Sequence, residues 1–169
     1  MAQLTLITGG QRSGKSSYAQ KYATQLSSQP IYLATSRIWD EEHRKRIERH
    51  KADRDERWVN IEEEKFISTH NFKGKVVLID CITLWLTNFF FDNKSDIDLS
   101  LSQAQKEFDA LLKQDAHFII VTNEIGLGGM PENEIQRKFT DLQGWMNQYI
   151  AQKANEVILM VSGIDVKIK

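Results

Sequence analysis

Two patterns of apolar positions take turns along the chain. Leu4–Thr8, Ile31–Ala34, Lys75–Asp80, His117–Thr122 and Glu156–Ser162 are short, nearly continuous apolar runs, and each reads as a strand. Ser16–Leu26, Leu99–Lys113 and Glu132–Ala154 carry helical periodicity, the last opened by Pro131 near its first turn. Strands that are apolar throughout, separated by helices, are what a parallel sheet covered on both faces requires. The pattern therefore predicts an α/β fold with a mostly parallel central sheet and helices on both faces. Val166–Lys169 alternates and predicts a final edge strand, and Phe91–Ser102 is expected to be a mobile loop.

In an open parallel sheet, ligands bind beyond the carboxyl ends of the strands. That directs attention to 9–16, Thr35 and Ser36, Asp80 and Cys81, and 123–129. The first of these, Gly9-Gly10-Gln11-Arg12-Ser13-Gly14-Lys15-Ser16, fits G-x-x-x-x-G-K-[ST] in full and lies between a predicted strand and a predicted helix. Its chemistry follows by position. The glycines let backbone N–H groups wrap phosphates, and the helix start adds its positive dipole end. Lys15 should reach the β- and γ-phosphates, and Ser16 should ligate Mg²⁺. The fold expected is thus P-loop NTPase-like. Asp80 ends an apolar strand, where a Walker-B carboxylate would touch Mg²⁺; the plainer reading is a helix cap. Cys81 reads as a small buried residue rather than a nucleophile.

Composition narrows the class. A length of 169 residues suits one nucleotide-binding domain, 1–169, and 41% hydrophobic residues are enough for a core. A net charge of −1 argues against broad nucleic-acid or membrane binding, and one cysteine leaves no intrachain disulfide. With neither a membrane-length apolar run nor the basic start of a signal peptide, a cytoplasmic protein without a membrane span is expected. Six of the nine glycines fall in two clusters, Gly9, Gly10 and Gly14, then Gly126, Gly128 and Gly129, which points to two loops at one site.

The charge is unevenly spread. Asp40–Arg57 holds seven acids and seven bases in eighteen residues, with Glu41/Lys45 and Glu42/Arg46 at helix-pairing distance. On a helical wheel Trp39, His43, Ile47, His50 and Arg54 share a stripe about 80° wide. A histidine beside a triphosphate can serve as base or as nucleophile, and the spacing does not choose between His43 and His50. His70 and His117 lie off that stripe and read as structural. Trp85, Phe89, Phe90 and Phe91 form an aromatic cluster that cannot all point inward from one helix.

Taken together, Thr8-Gly-Gly-Gln-Arg-Ser-Gly-Lys-Ser16, Tyr32-Leu-Ala-Thr-Ser36, Arg46-Ile-Glu-Arg-His-Lys-Ala-Asp-Arg54, Trp58-Val-Asn-Ile-Glu62, Asp80-Cys-Ile-Thr-Leu-Trp-Leu-Thr-Asn88 and Val121-Thr-Asn-Glu-Ile-Gly-Leu-Gly128 resemble the bifunctional adenosylcobinamide kinase / adenosylcobinamide-phosphate guanylyltransferase family. The motifs stand in family order along essentially the whole chain. The resemblance implies an enzyme of cobalamin synthesis and salvage. It would phosphorylate adenosylcobinamide with ATP or GTP, then transfer GMP from GTP to the adenosylcobinamide phosphate. It assigns the covalent GMP carrier to His50, with Lys15 the other catalytic residue, and leaves His43 without a motif partner.

By the same resemblance, nucleotide contacts fall on Gly9, Gly10, Gln11, Arg12, Ser13, Gly14, Lys15, Ser16, Ala34, Thr35, Ser36, Lys51, Ala52, Asp53, Arg54, Glu62 and Asp80. Ser16 and Asp80 are the implied Mg²⁺ ligands, and a homo-oligomer, a trimer among relatives, is implied as well. Two departures stand out: Gly129-Met130 replaces a β-branched pair, and Asp80 stands where some relatives carry Glu. The second glycine loop is read as lining the corrinoid or nucleotide site. The alternatives are a kinase-only P-loop relative and a nucleotide-switch binding module.

Overall fold

The five apolar runs become the parallel core of a seven-stranded sheet in the computed structural model. It describes residues 1–38, 41–52 and 54–169; the side chains of Glu42, His43, Arg46, Arg49 and His50 lie outside that description. In chain order the elements are β1 (Gln3–Gly9), α1 (Lys15–Leu26), β2 (Ile31–Ala34), α2 (Glu41–Ala52), β3 (Val59–Glu62), β4 (Val76–Asp80), α3 (Ile82–Asp92), α4 (Ile97–Leu111), β5 (His117–Val121), α5 (Glu134–Lys153), β6 (Glu156–Val161) and β7 (Ile164–Lys167). Short 3-10 turns occupy Ile67–Thr69 and Ile125–Gly128. The strand order is β3-β2-β4-β5-β1-β6-β7, with β7 antiparallel to β6 and the other pairs parallel.

Strand periodicity sorts the core into two layers. Leu4, Leu6, Leu33, Val77, Ile79, Phe118 and Ile120 face α3, α4 and α5, where Trp85, Phe90, Phe108 and Met146 meet them. Ile7, Tyr32, Leu78, Ile119 and Val121 face the opposite way, toward Ala19 and Ala23 of α1. Fully burying each large apolar side chain contributes about 1.5–3 kcal/mol, which is why the central strands tolerate so few polar positions. No described residue of α2 belongs to either layer.

Several expectations shift. The segment Phe91–Ser102, expected as a mobile loop, is mostly helix: α3 runs to Asp92 and α4 starts at Ile97. Only 93–96 turns, with Lys94 and Ser95 at positive φ and the Asp96 side chain accepting from Leu99 N at 2.9 Å. The polar string Asp92–Asp98 resembles a loop because it holds a helix end and the next helix's cap together. Helix α5 begins at Glu134 with Asn133 as its cap, so Pro131 lies before the helix rather than in its first turn. The last strand is Ile164–Lys167, two residues earlier than the alternation indicated, because a turn at Ser162 and Gly163 starts its pairing with β6. Strand β3 was not foreseen as a strand; four mostly exposed residues at a sheet edge give almost no apolar signal. Of the aromatic string, Phe89 and Phe90 are buried and Phe91 is 51% exposed, as the helical geometry demands.

Candidate functional site

The loop after β1 is shaped by its glycines. Gly9 sits at φ +151°, and a Cβ there would lie 2.6 Å from the Met160 carbonyl oxygen. Gly14 sits at φ +98°, with Gly163 Cα 3.2 Å from where its Cβ would be. Both positions need the absent side chain, for space and for conformation. The Gly163 N–H donates to Ser13 O at 2.9 Å, tying the loop to the β6–β7 turn. Inside this loop the Lys15 ammonium donates to Gly10 O at 2.5 Å and to Ser13 Oγ at 3.5 Å. Lys15 is buried, and burial pushes its pKa down while Cys81 and Asp80 pull it back up. Helix α1 has no side-chain N-cap, so its first-turn N–H groups are left for a ligand on the loop side. Gly10, Gln11 and Arg12 are exposed, Ser13 is buried and Ser16 is half-buried.

Asp80 stands at the end of β4, in register with Ala34 of β2 on one side and Val121 of β5 on the other. The Tyr32 hydroxyl donates to Asp80 Oδ2 at 3.1 Å. Burial, then the neighbouring Asp80, raises the Tyr32 pKa far above its ordinary range, so this hydroxyl stays a donor. The Arg54 guanidinium lies over the Tyr32 ring, its Cζ 3.6 Å from the centroid, and its Nε donates to Asn60 Oδ1 at 3.0 Å. Arg54 Nη1 is buried with no hydrogen-bond partner among the described residues. Arg54 thus brings a directional cation to the β2 end, held by stacking rather than by a carboxylate. The Cys81 thiol is pushed up to about 12, chiefly by burial, so it is a packing residue as expected.

The remaining predicted residues divide. Thr35 is fully buried and its hydroxyl donates to Cys81 O at 2.9 Å, so it braces the strand ends from beneath. Ala34 and Ser36 are half-buried beside it, with Ser36 Oγ donating to Arg37 O at 2.8 Å. Lys51 and Glu62 form an exposed ion pair between the end of α2 and the end of β3. Ala52 is exposed at the last position of α2, and Asp53 lies outside the described residues. His50 falls within α2, two residues before its end, and its side chain, like that of His43, is outside the described set. Of the helical stripe, Ile47 is half-buried and Arg54 lies beyond the helix end and is buried. His70 and His117 are structural neighbours only: His70 faces Glu63 at 3.8 Å, and His117 Nε2 lies 3.1 Å from Thr5 Oγ1.

The second glycine loop meets the first at Glu124. Glu124 N donates to Gly9 O at 3.0 Å, and Thr8 Oγ1 donates to Glu124 Oε1 at 2.8 Å. Gly126 and Gly128 fall in the 3-10 turn and, like Gly129, are exposed. Ile125 borders an apolar groove of about 340 Å³ against Thr87, Phe90, Phe91, Ile135 and Phe139. Tyr32, Asn60 and the Glu124 carboxylate carry no individual role in the sequence motifs. A tyrosine in an otherwise aliphatic strand, and an acid directly following β5, were the available signals.

Among the described residues no cluster of three or more His, Cys, Asp or Glu side chains is arranged to hold a metal alone. The hydroxyl of Ser16 and the carboxylate of Asp80 are hard oxygen donors. That set fits Mg²⁺, which takes one or two protein oxygens and fills its shell with phosphates and water.

Comparison with known proteins adds a second line of observation. A family model described as cobinamide kinase / cobinamide phosphate guanyltransferase matches residues 5–168. The bifunctional adenosylcobalamin biosynthesis protein CobU of Escherichia coli (strain K12) is 40% identical over 181 residues, covering 98% of this chain and 99% of that protein. The corresponding CobP of Pseudomonas aeruginosa is 34% identical over 169 residues, covering 97% and 96%. Among solved structures, the flagellar accessory protein FlaH of Methanocaldococcus jannaschii superposes with a TM-score of 0.52 at 14% identity, covering 99% of this chain and 78% of that one. At that identity FlaH speaks for the fold alone.

Proposed function

The chain belongs to the cobinamide kinase / cobinamide phosphate guanyltransferase family, and from that premise we propose that it catalyses two successive transfers in cobalamin biosynthesis. The first moves the γ-phosphoryl group of ATP or GTP to the hydroxyl of adenosylcobinamide. The second moves GMP from GTP to the adenosylcobinamide phosphate, releasing pyrophosphate and giving adenosyl-GDP-cobinamide. The observation that carries this reading is the carboxyl end of the sheet, which presents a buried loop lysine, a strand-end carboxylate and, over Tyr32 of β2, a stacked arginine whose Nη1 has no partner among the described residues.

In the kinase step the N–H groups of 10–15 and the Lys15 ammonium bind the phosphates and offset charge as the β–γ bond breaks. Ser16 and Asp80 are the residues that would hold Mg²⁺, whose contribution is to neutralise phosphate oxygens. Tyr32 orients Asp80 through its hydroxyl and Arg54 through its ring.

In the guanylyl step the His50 imidazole attacks the α-phosphorus of GTP. Pyrophosphate leaves toward Lys15 and Arg54, and a phosphate oxygen of the second substrate then displaces the histidine. Lys51 and Glu62 flank this end of the site, with Glu62 offering acceptors to the nucleoside. The same reading makes the protein a cytoplasmic homo-oligomer, a trimer. Supporting association between copies, Leu127 and Met130 expose 78% and 86% of their surface.

The test supplies adenosylcobinamide with ATP, then with GTP. The expected products are the phosphate ester in the first case, and the GDP derivative plus pyrophosphate in the second. A reaction that stops at the ester identifies a kinase-only enzyme. GTP hydrolysis indifferent to added cobinamide identifies a nucleotide switch and contradicts the proposal.

A further inference from the structure

A kinase of this design needs a group to take the proton of the attacking hydroxyl, and the carboxylates at the strand ends can be sorted by what already holds them. Glu62 is paired with Lys51, and Glu64 with Arg37 at 2.5 Å. Glu63 accepts from the backbone N–H groups of Lys65 and Phe66 at 3.0 and 2.9 Å. Asp80 accepts from Tyr32 and borders Lys15, the place of a metal-side carboxylate.

Glu124 differs. It follows β5, the strand lying between β1, which carries the phosphate loop, and β4, which carries Asp80. Adjacent strands are about 4.8 Å apart, so Glu124 emerges between the two elements that flank a γ-phosphate. Its backbone N–H is bonded to Gly9 O, the first residue of the loop.

The side chain is held by one oxygen only. Thr8 Oγ1 donates to Oε1 at 2.8 Å and Asn147 Nδ2 to the same Oε1 at 3.3 Å. Asn147 is itself fixed: its Nδ2 donates to Asn123 O at 3.0 Å, and its Oδ1 accepts from Thr122 at 2.7 Å and Gln143 at 2.9 Å. Thr122, Gln143 and Asn147 are all buried. Gln143 Oε1 has no partner among the described residues, but both ends of the Asn147 amide are bonded, and an amide fixed at both ends sets the direction of the carboxylate it donates to. Glu124 is half-buried, and Oε2 accepts no hydrogen bond among the described residues.

We propose that Glu124 is the general base of the phosphoryl-transfer step, with Oε2 accepting the proton of the substrate hydroxyl. This rests on the kinase half of the proposed function. In the step, the hydroxyl oxygen of the cobinamide side arm bonds to the γ-phosphorus. The bond from that phosphorus to the β–γ bridging oxygen breaks, the nucleoside diphosphate leaves with the electron pair, and the hydroxyl proton moves to Glu124.

Glu124→Gln tests this, because an amide oxygen still accepts from Thr8 and Asn147 while the basic oxygen is lost. Kinase turnover on adenosylcobinamide should fall roughly 10²- to 10⁴-fold with the KM for nucleotide within about threefold of the unsubstituted protein. Guanylyl transfer to supplied adenosylcobinamide phosphate should keep at least about a third of its rate, because that acceptor brings no hydroxyl proton to remove. Kinase turnover that survives the substitution overturns the proposal. So does loss of both transfers together, or a loss expressed mainly in nucleotide KM, since either reports a loop displaced rather than a base removed. An unsubstituted protein without kinase activity would instead overturn the underlying functional reading.

Discussion

At the centre of the sheet, Thr8, Ser13 and Lys15 are buried, and the phosphate loop between β1 and α1 is tied to the β6–β7 turn and to Glu124 by backbone bonds. At the β2–β3 edge, Lys51 and Glu62 pair in solvent, and Arg54 is buried, resting on Tyr32. The central region fixes a ligand by backbone shape, which leaves few ways to alter it. The edge region uses long side chains, whose placement depends on stacking and exposed ion pairs. On the proposed reading, the first binds the triphosphate common to both transfers, and the second serves the nucleotidyl step.

The contrast breaks most readily at Lys15. Lys15→Ala should lower both transfers by about 10³-fold or more, because both develop charge on the same phosphates. Loss of one transfer alone would show that the two regions do not share a triphosphate site. Gly9→Ala should come next. With a Cβ 2.6 Å from Met160 O, the loop must shift, and stability should drop by about 1–3 kcal/mol in urea unfolding.

A smaller effect is expected at the edge. Arg54→Lys keeps the charge and loses the planar stack and the fork, and should slow guanylyl transfer about tenfold while changing kinase turnover little. Smallest of all, Glu62→Gln should change unfolding free energy by less than about 0.5 kcal/mol, since an exposed pair contributes little. A stability loss of several kcal/mol there would erase the distinction between a built centre and a solvated edge.

The same contrast governs what could be read from the chain. The central strands were legible because burial on both faces writes them as unbroken apolar runs, and the phosphate loop because its glycines occupy fixed offsets. Strand β3 was not, since Val59, Asn60 and Glu62 are exposed at an edge where hydrophobicity carries no message. Arg54 was legible on the helical stripe and, by resemblance, as a nucleotide contact, but its burial was not, because it arises from Tyr32 and Asn60, which arrive from two different strands. Glu124 was present in a recognisable segment, but which oxygen is held depends on Asn147, twenty-three residues away on α5. The turn at 93–96 was mistaken for a longer loop because its polarity belongs to a helix end and a cap, not to flexibility.

The central claim is that a second, covalent transfer is housed at the edge, on His50, beside a phosphate site used by both reactions. Incubation with GTP labelled on the α-phosphate, followed by denaturation, tests it most directly. The account predicts label on the protein that is acid-labile and base-stable, retained in His43→Ala and absent in His50→Ala, with kinase turnover persisting in the latter. Label that remains on His50→Ala, or kinase and guanylyl activities that disappear together in it, would contradict the account.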